Sequence, residues 1–107
     1  MKITAVVPAY NESRTIVTVV QSLRGKVDEI IVIDDGSRDN TYDLAKNEGA
    51  VVLRHFLNRG QGAALKTGMD YALAHFADII ITFDADGQHD VNDIEALIQP
   101  IIEGRAD

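Results

Sequence analysis

Apolar residues follow two alternating patterns along this chain. Four short runs are apolar at nearly every consecutive position and rich in β-branched residues, which predicts buried strands at residues 3–7, 30–33, 50–54 and 79–83. Pro8 is expected to end the first of them. Because these runs are apolar on both faces, we expect a parallel sheet that is covered by helices on each side.

The segments between the strands carry apolar residues at helical spacing. The first predicted helix presents one apolar face, formed by Ile16, Val19, Val20 and Leu23. Asn11 is its predicted N-cap, Glu12 lies in its predicted first turn, and Gly25 ends it.

Three further helices are predicted. One covers residues 41–48 and ends at Gly49, and three side chains are available to cap it: Ser37, Asp39 and Asn40. The next has a predicted apolar face made of Leu65, Met69, Ala72, Leu73 and Phe76. The last follows an Asn92/Glu95 capping box, and Pro100 should kink or shorten it.

The element order is therefore β-α repeated four times, which predicts an α/β fold with a doubly wound, mostly parallel, Rossmann-like sheet. The 107 residues end just after a predicted helix, where a fifth strand would be expected. We therefore expect residues 1–107 to be the first part of a longer domain, cut after its fourth β-α unit.

Charge and composition narrow the classes of partner. The net charge is −7, from 10 basic and 17 acidic residues, which argues against nucleic acid as the main partner. There is no cysteine, and no apolar stretch has the length of a signal peptide or a membrane span. We expect a cytoplasmic location, with membrane association only through an acceptor or a missing C-terminal part.

The acidic stretch after the fourth strand is the main candidate for chemistry. Positions i, i+2 and i+4 of an extended chain point to the same side, so Asp84, Asp86 and Gln88 could present three oxygen ligands to one Mg²⁺ or Mn²⁺. The alternative is an acidic turn that caps the next helix. From this stretch alone both interpretations stay open.

Two other polar segments meet this stretch if the strand order is 3-2-1-4. Ligands of open α/β sheets bind beyond the carboxyl ends of the strands, where the strand order reverses, which here lies between strands one and four. Tyr10 offers an aromatic surface for a base and Glu12 a hydrogen-bond acceptor, although each has an ordinary surface role as its alternative. Asp34 and Asp35 alternate sides, so one could face a ligand while the other braces the loop.

Lys66 and the glycine loop give weaker signals. Lys66 could reach a diphosphate, but a solvated lysine explains it as well. The loop at residues 60–64 resembles a phosphate loop that lacks its third glycine, so we do not interpret it as a dinucleotide fingerprint. His55 and His75 fit a loop or a helix end, and His89 lies beside the predicted metal site.

Four motifs together resemble family 2 glycosyltransferases with the GT-A fold, and within them most closely the dolichyl-phosphate mannosyltransferase group. The motifs are Val6-Val7-Pro8-Ala9-Tyr10-Asn11-Glu12, Ile33-Asp34-Asp35-Gly36-Ser37-Arg38-Asp39-Asn40-Thr41, Asn58-Arg59-Gly60-Gln61-Gly62-Ala63-Ala64 and Asp84-Ala85-Asp86-Gly87-Gln88-His89. They cover the whole chain in the right order.

The resemblance implies transfer of a sugar, with inversion, from a nucleotide-diphosphate donor of the GDP-mannose or UDP-glucose type. A polyprenyl or dolichyl phosphate, or a glycan, would be the acceptor. The implied nucleotide-sugar contacts are Pro8, Ala9, Tyr10, Glu12, Ile33, Asp35, Lys66, Asp84, Ala85 and Asp86. The implied Mg²⁺ or Mn²⁺ ligands are Asp84, Asp86 and Gln88, and Asp86 is the candidate catalytic residue.

The resemblance also places the acceptor-binding residues in a second half of the domain that the 107 residues do not include. We therefore expect this chain alone to bind donor without catalysing transfer. A non-catalytic nucleotide-binding fragment is one alternative function. A signalling receiver domain is another, although a receiver has an acidic pair after its first strand, where this chain has Pro8-Ala9-Tyr10. Exposed sheet edges suggest a homo-oligomer.

Overall fold

The computed structural model describes residues 1–86, which form seven elements. These are β1 (Ile3–Ala9), α1 (Ile16–Leu23), β2 (Glu29–Asp34), α2 (Thr41–Asn47), β3 (Val51–Arg54), α3 (Gln61–Ala74) and β4 (Ile79–Thr82). The predictions for Gln88, His89 and the last helix with its capping box lie outside the described residues. No helix in the described part is long and apolar enough to cross a membrane.

The described strands form one parallel sheet of order β3-β2-β1-β4, as predicted. The α/β prediction with a doubly wound sheet is therefore confirmed. A receiver domain has the order 2-1-3-4-5. The observed order differs, which removes support for the receiver alternative.

Alternating side chains divide the apolar core between the two faces of the sheet. On one face α1 and α2 pack on a cluster that includes Ala5, Val7 and Val32. On the other face α3 packs on a cluster that includes Val6 and Ile33. This period-two division explains why the strands are apolar at consecutive positions.

The first strand does not stop at Pro8, contrary to the prediction. β1 continues to Ala9, and Pro8 stays in register with Ile33. The Ala9 carbonyl accepts from the Asp35 amide on the β2 side, so strand alternation turns the Pro8 nitrogen toward β4. The β1–β4 ladder has already ended at Val6↔Thr82. Because the missing N–H of proline lies on this side, it cannot extend the β1–β4 ladder, and it leaves the β1–β2 ladder intact.

The start of α1 is also later than predicted. The helix begins at Ile16 with Thr15 at its N-cap, so the prediction that Asn11 caps it was wrong. Asn11 has a φ of 54°, and it takes part in a turn before the helix. Glu12 accepts the amides of Thr15 and Ile16 through its backbone carbonyl, and it lies before the first helical turn.

The helix α3 packs through small residues, not through the predicted large apolar face. Its buried positions are Ala64, Gly68 and Ala72. Three residues of the predicted face, Met69, Leu73 and Phe76, are instead 42%, 59% and 84% exposed. Spacing alone favoured the large side chains, but the helix lies too close to the sheet for them. A Cβ on Gly68 would lie 2.4 Å from Val6 Cγ1 and 2.5 Å from Ile33 Cδ1.

We predict that Gly68→Ala lowers the free energy of unfolding by about 1 to 2 kcal/mol, because overpacking outweighs the higher helix propensity of alanine. Urea denaturation measures the change. Gly62→Ala is the matched control, since a Cβ there meets no described atom within 4 Å. A Gly68→Ala protein as stable as the wild type would contradict the close approach of α3.

Candidate functional site

A cavity of about 350 Å³ opens beyond the carboxyl ends of the strands, beside the start of α3. Its described lining comes from four loops and the first turns of α3: Pro8, Ala9, Tyr10, Glu12, Asp35, Asn58, Gly60, Gln61, Ala64, Asp84, Ala85 and Asp86. This is the edge where an open α/β sheet binds its ligand. The structure therefore brings together most of the residues that the sequence predicted for the site.

The loop that carries Tyr10 and Glu12 is held in place by its own backbone amides. The Asn11 amide donates to Ser37 Oγ at 2.8 Å, and the Glu12 amide donates to Thr41 Oγ1 at 2.9 Å. In return, Asn11 Oδ1 accepts the amide of Arg38 at 2.9 Å. The loops after β1 and β2 are thus fixed to each other, which sets where Tyr10 and Glu12 lie in the cavity wall.

Asp39 lies at the centre of this connection, directly before Asn40, which occupies the N-cap position of α2 without a side-chain cap hydrogen bond. Its carboxylate accepts the Thr41 amide at 3.1 Å and the Ser13 amide at 3.3 Å, and it also accepts the Thr41 hydroxyl. Burial alone would raise the pKa of Asp39, but these hydrogen bonds outweigh burial and hold the pKa below its usual value of 3.8. Of the three predicted caps, Asp39 is the one whose side chain accepts the first helical amide.

Asp34 and Asp35 divide their roles as predicted from their alternation. Asp34 is fully buried, and its Oδ1 accepts the Ser37 amide at 3.0 Å while its Oδ2 lies 3.4 Å from Arg54 Nε. This carboxylate braces the loop after β2. Asp35 points to the opposite face and lines the cavity.

Asp35 also holds the loop after β3. Its Oδ1 accepts the Arg59 amide at 2.9 Å, its Oδ2 accepts the Gly60 amide at 2.8 Å, and His55 Nδ1 lies 2.8 Å from Oδ1. Burial would raise the pKa of Asp35, but the two amides and His55 together lower it, so this carboxyl stays ionised at neutral pH.

The cavity is strongly acidic on its β1–β4 side. Glu12, Asp84 and Asp86 all line it there. Burial raises the pKa of Glu12 above its usual 4.5, and the negative charge of Asp86 raises it further, while a hydrogen bond with Thr15 works in the opposite direction. The Thr15 hydroxyl donates to the Ala85 carbonyl, which ties the acidic turn after β4 to the start of α1.

The donor set fits a hard divalent cation that is shared with a ligand. Asp84 and Asp86 supply carboxylate oxygens, and Mg²⁺ is commonly held by one or two carboxylates together with substrate phosphates. Within the described residues, no group of three or more His, Asp or Glu side chains has the arrangement of a complete metal site. A cation here would therefore take further ligands from a bound phosphate group, from water or from residues such as Gln88.

Two predicted contacts lie away from the cavity. Ile33 is fully buried, and its side chain packs under α3 at Gly68. Lys66 lies on the exposed side of α3, where its Nζ pairs with Asp70 at 2.9 Å. Neither is among the described residues that line the cavity.

The sequence analysis quoted the loop after β3 and the start of α3 as a motif, but it did not assign their residues to the ligand site. Those that line the cavity are Asn58, Gly60, Gln61 and Ala64. The available signal was the strand order itself, because a loop that follows a parallel strand begins at the same edge as the other binding loops. His55 lies in the loop after β3, in agreement with the prediction, but its burial at 8% exposure was not predicted.

Fold and cavity together define a doubly wound α/β domain with an acidic ligand site at the switch point of its sheet. A family model described as "Glycosyl transferase family 2" matches residues 4–107. The chain belongs to this family, as the motifs predicted.

Curated relatives include two transferases whose names specify a polyprenyl phosphate. The UDP-N-acetylglucosamine–dolichyl-phosphate N-acetylglucosaminyltransferase of Methanococcus voltae is 42% identical over 115 residues, which cover 91% of this chain and 46% of the relative. The undecaprenyl-phosphate 4-deoxy-4-formamido-L-arabinose transferase of Pseudomonas aeruginosa is 32% identical over 114 residues, which cover 95% of this chain and 33% of the relative. This chain therefore spans less than half of either protein.

A solved structure shares both the fold and the sequence pattern. Glucosyl-3-phosphoglycerate synthase from Mycobacterium tuberculosis, in complex with Mn²⁺, UDP-glucose and glycerol 3-phosphate, aligns with a TM-score of 0.75 and 33% identity. The alignment covers 96% of this chain and 40% of the synthase. These likenesses establish the family and the GT-A type of fold. The narrower resemblance to the mannosyltransferase group stays a prediction.

We predict that Asp39→Asn destabilises the fold at neutral pH. Because the folded-state pKa of Asp39 is lowered, its contribution is present above the usual pKa and is lost as the pH falls through the folded value. The difference in stability from the wild type should therefore shrink as the pH falls from neutral through the usual pKa of 3.8 and below it. Urea denaturation across this pH range measures it.

Asp70→Asn is the control, because Asp70 is exposed and pairs with Lys66 on the surface. Such a pair contributes roughly 0.3 to 0.5 kcal/mol to stability. A loss for Asp39→Asn that stayed constant down to acid pH would mean that its charge does not hold the two loops.

Proposed function

We propose that residues 1–107 form the donor-binding part of a metal-dependent, inverting glycosyltransferase that uses a nucleotide-diphosphate sugar. The observation that carries this proposal is the cavity at the switch point. The segment Pro8–Glu12, at the end of β1 and just after it, lines this cavity together with the acidic turn Asp84–Asp86. Asp35 lines the same cavity. The family membership supports the same reaction class.

The residues of the cavity divide by chemistry into two regions. On one side, the half-exposed ring of Tyr10 and the pyrrolidine ring of Pro8 offer apolar surface to a base, and Asp35 and Asn58 offer polar atoms to its edge. On the other side, Asp84 and Asp86 would hold Mg²⁺ or Mn²⁺. The bound cation would offset the charge that builds on the leaving diphosphate.

A UDP-sugar is the donor that we propose first. One relative's name specifies UDP-N-acetylglucosamine, and the synthase structure contains UDP-glucose with Mn²⁺. GDP-mannose, the donor that a mannosyltransferase would use, is the second candidate. UDP-sugars and GDP-mannose both contain a base and a ribose diphosphate that would contact the same wall. The described residues therefore do not discriminate between these two donors.

A polyprenyl phosphate is the acceptor that we propose. Two relatives are named for dolichyl-phosphate or undecaprenyl-phosphate acceptors. An anionic phosphate oxygen is already a nucleophile, so this reaction would need no general base from the chain. From this acceptor we propose that the enzyme acts at the cytoplasmic face of a membrane, where a polyprenyl phosphate would be anchored.

A non-catalytic nucleotide-binding function is the second candidate. It applies to residues 1–107 by themselves, which span less than half of these curated relatives. It shares the donor site with the first proposal and differs only in lacking transfer. A radiolabelled-sugar transfer assay with polyprenyl phosphate separates the two.

We predict that UDP binds only in the presence of Mn²⁺ or Mg²⁺, and that Asp86→Ala weakens this binding by a factor of about 100 or more, as loss of a charged ligand contact should. Isothermal titration calorimetry with UDP and GDP, with and without metal, measures both effects. Asp70→Ala is the control, because this carboxylate pairs with Lys66 on the exposed side of α3.

Two results would contradict the proposal. One is the absence of binding for both nucleotides at millimolar concentration with metal present. The other is an Asp86→Ala protein that binds as tightly as the Asp70→Ala control.

A further inference from the structure

His55 is a buried histidine with a hydrogen-bond partner on each ring nitrogen. It is 8% exposed, its Nδ1 lies 2.8 Å from Asp35 Oδ1, and its Nε2 lies 2.9 Å from Thr67 Oγ1. The imidazole thus connects the wall of the cavity to the middle of α3. It does not itself belong to the described lining.

The parallel register explains why this histidine meets Asp35. The β2–β3 ladder ends at the pair Asp34↔Arg54, and the His55 amide still donates to the Asp34 carbonyl at 2.9 Å. Asp35 and His55 are therefore opposite one another, one step beyond the ladder. Since successive side chains alternate, both turn toward α3 while Asp34 and Arg54 turn to the other face.

The acceptor positions of Asp35 are largely occupied by the protein. A carboxylate has about four lone-pair positions. Those on Oδ1 serve His55 and the Arg59 amide, and one on Oδ2 serves the Gly60 amide. Oδ2 keeps acceptor capacity for one further donor, such as an N–H of a bound base. The direction of that remaining lone pair depends on how rigidly the carboxylate is held.

The partners also determine which ring nitrogen carries the hydrogen. An ionised carboxylate can only accept, so Nδ1 must donate to Asp35. In the neutral ring Nε2 is then an acceptor, and the Thr67 hydroxyl donates to it. Asp35 therefore selects the tautomer, and the Thr67 hydroxyl, which can donate or accept, fits it and holds the other side of the ring.

We propose that His55 is a positioning residue for nucleotide binding. This inference rests on the proposed donor site. The Nδ1–H of His55 fixes the Asp35 carboxylate and, through it, the loop that carries Arg59 and Gly60, while Thr67 fixes the ring. His55 acts through Asp35 and does not touch the nucleotide.

Two conservative variants separate the two ring contacts. The amide nitrogen of asparagine takes about the place of Nδ1, whereas that of glutamine takes about the place of Nε2. We predict that His55→Asn binds UDP with Mn²⁺ within about threefold of the wild type, whereas His55→Gln loses about tenfold or more, because a hydrogen bond to a charged group is broken. Calorimetry measures both affinities.

The backbone gives a readout that is independent of ligand. We expect the Arg59 and Gly60 amides to exchange their hydrogens faster in His55→Gln than in His55→Asn, since their acceptor is released. As a second variant, Thr67→Val keeps the helix and removes the partner of Nε2. Because Asp35 still accepts from Nδ1, nitrogen-15 spectra of His55 should show the same tautomer as the wild type, and UDP affinity should fall by less than in His55→Gln.

His75 provides the matched control. Its Nδ1 bonds the Tyr71 carbonyl at 2.8 Å and its ring stacks on Tyr71 at 3.9 Å, at the far end of α3. His75→Gln should leave nucleotide affinity unchanged.

The outcomes distinguish this inference from the proposed function. If the wild type binds UDP and His55→Gln binds equally well, the positioning role is overturned and the donor site stands. If His55→Asn and His55→Gln lose affinity equally, His55 supports only the fold and the inference fails. If the wild type binds neither UDP nor GDP with metal, the proposed function fails and the inference fails with it.

Discussion

The parallel register between β1 and β2 is the constraint on which the site depends. The two strands end together at the pair Ala9↔Asp34, so the loops that follow them leave the sheet at the same level. Asp34 and the residue that follows it, Asp35, point to opposite faces of the sheet. Asp34 then braces the loop after β2, and Asp35 holds the loop after β3. A register shift of one residue would exchange these two roles and break both loops.

Several acidic residues of this chain serve as acceptors for backbone amides, two of them in addition to a contact with a basic side chain. Asp34, Asp35 and Asp39 each accept at least one amide from a binding loop. Charged acceptors make stronger hydrogen bonds than neutral ones, and loops lack the regular ladders that would otherwise satisfy their amides. Part of the negative net charge therefore stabilises the site, while Asp84 and Asp86 line the cavity wall.

The strands, their order and most of the cavity wall could be predicted from the sequence, because consecutive apolar residues and carboxyl-end loops follow from the physics of a parallel sheet. The face of α3 could not, since the decisive quantity is how closely the helix approaches Val6 and Ile33, and spacing does not encode that distance. Asn11 was misassigned because its side chain can bond a distant loop as well as a helix amide. His55 was missed because its partners, Asp35 and Thr67, lie 20 and 12 residues away.

The motif at residues 34–41 shows why the family could be recognised from sequence while the sugar could not. Gly36 has a φ of 81°, and a Cβ there would lie 2.8 Å from the Asn58 amide nitrogen, so the turn admits little else. Ser37 and Thr41 accept the amides of Asn11 and Glu12. These contacts join one part of the protein to another, and they would be the same for any base or sugar bound above them. The motif therefore specifies the shape of the cavity, whereas the choice of ligand depends on side chains that touch the ligand itself.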